Sequence, residues 1–63
     1  MKTLKEKFTN SIDHVVDQIG GFERTPSFIN LVSAYADRKF NINAAATTAA
    51  HNALIEALDE YEY

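Results

Sequence analysis

The chain has no cysteine and no tryptophan, a single proline, two glycines and few basic residues. Without Cys there is no disulfide to staple the fold, no thiolate to hold a metal and no sulfur nucleophile. Such a chain suits a reducing cytoplasm. No apolar run approaches the ~18 residues that a membrane helix needs, so no span is expected. The basic start Met1-Lys2-Thr3-Leu4-Lys5-Glu6-Lys7 is not followed by the apolar core of a secretory signal. Six Lys and Arg against nine Asp and Glu leave a net charge of −3. A general nucleic-acid binder needs a basic footprint, so nucleic acid is a disfavoured partner.

What is present is helix-forming. The 63 residues make one domain, 1–63, near the lower limit for a self-supporting core. Nine of the apolar residues are Ala, and of the larger ones about fifteen can be buried. A second copy or a partner would add to so thin a core. The alanine-rich last third, with its acidic-aromatic end, is the expected organiser of the fold.

Leu4, Phe8, Ile12, Val15, Val16 and Ile19 recur at three- and four-residue steps, which places them on one helical stripe. Gly20-Gly21 supplies the left-handed stop. Thr25-Pro26 then reads as an N-cap followed by Pro at the first helical position. The second helix carries Phe28, Ile29, Leu31, Val32, Tyr35, Ala36 and Phe40, a wider apolar arc than one neighbour needs. It is expected either to touch both other helices or to keep a face for a second molecule. Asn41-Ile42-Asn43 is the next break, with Asn43 able to cap a third helix. There Ala46, Ala50, Ala53 and Ala57 share one edge, and Leu54, Leu58 and Tyr61 the other. The spacing predicts helices over about 3–19, 26–39 and 44–60. The fold class is all-α, a small three-helix bundle, with completion by dimerisation as an option. Short loops make up-down-up the simplest order.

That order would sort charge by end. Lys2, Lys5, Lys7, Arg38 and Lys39 against Glu6 and Asp37 give +3 at one end; the remainder carries −6. Lysines at a helix start and carboxylates at a helix end both oppose the macrodipole. Solvated charges on a small protein explain this blandly. The sharper reading is an acidic end that meets a basic surface on another protein.

Chemistry is sparse. His14 lies near Asp13 and Asp17 and reads as solvated; His51 has no carboxylate one helical turn away. Neither sits in a metal-ligand spacing, so no metal or cofactor is expected. Ser11, Ser27 and Ser33 lack a nucleophile's turn context. Paired carboxylates such as Glu56 and Glu60 would sit on a convex face, and no catalytic residue is assigned. A helix starting Ala44-Ala45-Ala46 brings no donors to base edges, which leaves DNA regulation a minor alternative. Ile55 points away from the stripe, as an exposed single Ile often does.

These features suit a small non-enzymatic protein-binding module, a regulator or inhibitor that occupies another protein's surface. Proteins of this size and type are common in phages and mobile elements. The expected contact residues are Glu56, Asp59, Glu60, Glu62 and Tyr63, with tyrosine supplying area and a polar tip. Self-association into a homodimer or a structural assembly is the alternative.

Overall fold

The computed structural model describes residues 3–44 and 46–61. It holds three helices, α1 (Leu4–Ile19), α2 (Pro26–Phe40) and α3 (Thr48–Glu60). The all-α three-helix bundle is as the periodicity predicts. No helix among the described residues is long and apolar enough to cross a membrane. The Cα radius of gyration is 10.4 Å, close to the ~10.6 Å of a compact chain this long.

Each helix starts on a threonine. Thr3, Thr25 and Thr47 are extended, and their hydroxyl oxygens accept from the backbone N–H of Glu6, Phe28 and Ala50 at 3.2, 3.2 and 3.0 Å. Each bond satisfies a donor that the first turn leaves without a helical acceptor. Gly20 ends α1 at φ 81°, where a Cβ would be strained. The N–H groups of Gly20 and Gly21 both reach the Val16 carbonyl, at 2.8 and 3.2 Å. Asn41 ends α2 at φ 56°, a conformation that its short polar side chain tolerates.

The third helix begins later than its composition predicts. Thr47 is the cap, not Asn43, and α3 opens at Thr48 rather than near Ala44. Ala has the highest helix propensity, but tertiary burial overrides it here. Ile42 and Ala44, two residues apart, are both buried in the core. The Ala46 N–H closes a turn onto the Asn43 carbonyl at 3.0 Å. Ala46 is accordingly exposed and not part of the alanine edge.

The core joins Phe8, Ile12 and Val15 of α1 with Phe28, Val32 and Ala36 of α2. Ala50, Leu54, Ala57 and Leu58 of α3 complete it with Ile42 and Ala44. The hub is α1, not the alanine-rich helix: α2 and α3 each pack along α1 and meet each other only sparsely. Fully buried Ser11 on α1 is small, and its Oγ donates to the Lys7 carbonyl at 3.0 Å. Its hydroxyl is therefore satisfied within its own helix. Leu4 and Ile19, at the ends of the α1 stripe, remain partly exposed, at 37% and 46%.

The expected sorting of charge by end is broken at Lys5. Lys5 at the start of α1 pairs with Glu60 at the end of α3, Nζ to Oε1 2.7 Å. An up-down-up order would hold those two positions at opposite ends. The seven-residue connection 41–47 removes the constraint of a tight hairpin. The end of α3 consequently meets the start of α1, the middle of α1 and the α1–α2 connection together.

Candidate protein-interaction surfaces

Three surfaces are built by this packing, and the first is the acidic face of α3. Glu56, Asp59 and Glu60 lie three and four residues apart on one helix and are all exposed. Glu60 accepts from Lys5, and Asp59 pairs with Arg24. The Lys5 pKa is raised above its usual 10.5, first by the Glu60 hydrogen bond, then by the charges of Glu60 and Glu56. Burial acts in the opposite direction. Glu56 forms no ion pair among the described residues. Both the Lys5–Glu60 and Arg24–Asp59 pairs are roughly half exposed, where an ion pair contributes little and its members exchange partners with ease. Glu62 and Tyr63 lie outside the described residues.

Tyr61 fixes this face to the bundle. Just past the end of α3, its hydroxyl donates to the Asp13 carboxylate of α1 at 2.5 Å. Its ring stacks on Phe22, centroids 5.2 Å apart, and Phe22 meets Phe28 edge-on at 5.3 Å. The aromatic series Phe28–Phe22–Tyr61 ties α2, the α1–α2 connection and the α3 end together. Closing the bundle is the role its place on the stripe suggests. The Asp13 partner is not legible in the sequence, because 48 residues separate the two.

The second surface is an open groove of about 380 Å³ between α2 and α3. Ile29, Ala34, Ala44 and Leu54 supply its apolar lining; Asn30, Asp37 and His51 stand among its polar groups. It exists because both helices close on α1 instead of on each other. His51, without a carboxylate neighbour in sequence, is exposed beside it.

No family model, curated protein or solved structure matches the chain.

The third surface is the seam between α1 and α2. His14 is not solvated but half-buried, and its ring stacks on Tyr35 at a centroid distance of 3.9 Å and an angle of 10°. Four residues before Tyr35, Leu31 is 49% exposed, the highest among the large apolar residues described. The wide apolar arc of α2 is thereby divided. Phe28, Val32 and Ala36 serve the core, while Leu31 faces outward. Ile55 departs the other way, half-buried against the core instead of free. Periodicity left the side of Leu31 open and set Ile55 outside its stripe; in both cases the neighbouring helix's position decides burial.

Among the described residues, no group of three His, Cys, Asp or Glu could hold a metal ion. No buried side-chain nitrogen or oxygen there lacks a hydrogen-bond partner. Ser11 is sealed in the core.

Proposed function

We propose that this chain is a non-enzymatic protein-binding module, a small regulator or inhibitor that acts by occupying a basic surface of another protein. The observation that carries the reading is the acidic face of α3, where Glu56, Asp59 and Glu60 are exposed on one side of the helix. Among the described residues, two of the three carboxylates are held by half-exposed cations. A partner's Arg or Lys can replace Lys5 and Arg24 at low desolvation cost, and complementary fields would speed encounter. Glu62 and Tyr63 follow directly in sequence and are assigned to the same contact. Tyr61 holds this end against α1, so the carboxylates approach a partner on a fixed scaffold. A chain without Cys suits an interaction in a reducing cytoplasm.

The test is capture of binding proteins from the native host's lysate, identification by mass spectrometry, and titration of each purified candidate. Glu56→Lys, Asp59→Lys and Glu60→Lys together should abolish binding, and salt should weaken binding to the unaltered protein. A partner bound equally well by the triple variant would refute the acidic face as the contact. Helix content and melting temperature of the variant distinguish lost contact from lost fold.

A further inference from the structure

We infer that a second copy of this chain docks on the outward face of α2, in an antiparallel α2–α2 contact centred on Leu31. This contact is centred on α2 and meets the acidic face of α3 only at the Arg24–Asp59 pair. Leu31 is the most exposed large apolar side chain described, and it sits one turn from the Tyr35–His14 stack. Stacked rings and an aliphatic knob form the rigid apolar centre that interfaces favour. Ser27 and Ala34, exposed on the same side of α2, are small enough for a helix to approach closely.

Charge selects the occupant and its direction. Glu23 lies eight residues before Leu31 and Lys39 eight after it, and both are exposed. Glu23 precedes α2, at its N-terminal end, and Lys39 lies in its last turn, so a two-fold axis at Leu31 brings the end that holds Glu23 in each copy toward the end that holds Lys39 in the other. The same axis brings Arg38 toward Arg24, whose charge is neutralised by Asp59. Glu23, Arg24 and Asp59 carry −1 together, and Asp37, Arg38 and Lys39 carry +1. Antiparallel pairing joins these opposite ends twice; parallel pairing would join like to like. An isologous contact of this kind closes at two copies instead of growing into chains.

The experiment is sedimentation equilibrium of the full chain from about 10 µM to about 1 mM protomer, the variable that mass action makes decisive. A monomer–dimer equilibrium is expected. Leu31→Asp should raise the dissociation constant at least about tenfold by burying two carboxylates at the axis. Lys39→Glu should raise it about fivefold, two exposed pairs being lost at once. Combining Lys39→Glu with Glu23→Lys should restore the original value, which a merely structural role for either residue would not do. Because all three positions are exposed, helix content by circular dichroism should be retained, with melting temperature falling only by the lost dimer stabilisation and, for Lys39→Glu, the unfavourable charge at the α2 end. A monomer throughout the range overturns the inference. A dimer indifferent to Leu31→Asp, or a charge swap without rescue, overturns the α2 face.

Discussion

Two adjacent threonines should respond to the same substitution with opposite signs. Thr47 caps α3 and accepts from the Ala50 N–H at 3.0 Å, while Thr48 is the first helical residue and exposed. Thr47→Ala removes the acceptor and leaves a first-turn donor to water, at a cost of about 1 kcal/mol. Thr48→Ala replaces a β-branched residue with the best helix former and should gain up to about 0.5 kcal/mol. The unfolding entropy of a 63-residue chain is roughly 0.13 kcal/mol/K, so 1 kcal/mol moves the midpoint by about 7–8 °C. Thr47→Ala should therefore melt about 7–8 °C lower and Thr48→Ala slightly higher, by circular dichroism at 222 nm and by urea titration. Had the helix begun near Ala44, both threonines would lie inside it and both substitutions would stabilise. A Thr47→Ala variant at least as stable as the parent would refute the late start of α3.

Three further outcomes follow from the core, the turns and the charge pairs. Leu54→Ala empties a site 1% exposed and should cost about 2–5 kcal/mol, a large share of the roughly 3–9 kcal/mol available to a domain this small; chemical denaturation measures it. Gly20→Ala should cost about 1–2 kcal/mol without any change in packing. Its φ is 81° and nothing lies within 4 Å of the point an added methyl would occupy, so an unchanged urea midpoint would contradict the left-handed turn. The Lys5–Glu60 pair has a defined pH window: the folded pKa of Lys5 lies above its usual 10.5, so its contribution is complete below about 10.5 and fades as pH rises through the folded value. Glu60→Gln should flatten that alkaline loss, as followed by melting temperature between about pH 9 and 12.

The helices and their stops were written in local chemistry. Gly20 and Thr25-Pro26 act within a turn or two of themselves, and the α1 stripe needs only its own period. The acidic spacing of Glu56, Asp59 and Glu60 is likewise a property of one helix. Where α3 starts was not legible, because the competing interest is distant: Ile42 and Ala44 gain more from the core than from another helical turn. Nor could the sequence place Tyr61 on Asp13 or Lys5 beside Glu60, contacts that span 48 and 55 residues.

Sequence alone determined three helices, the caps Gly20, Thr25 and Asn41 and the exposed acidic face, since each depends on neighbours within about four residues. Only tertiary structure decided which helix is central. With Phe8, Ile12 and Val15 beside small, self-satisfied Ser11 in the core, α1 receives both neighbours. That choice leaves α2 and α3 parted by a groove, turns Leu31 outward and brings cations to the acidic face. Side chains at the margin of an apolar stripe become core or surface according to where the next helix lies, and no periodicity contains that position.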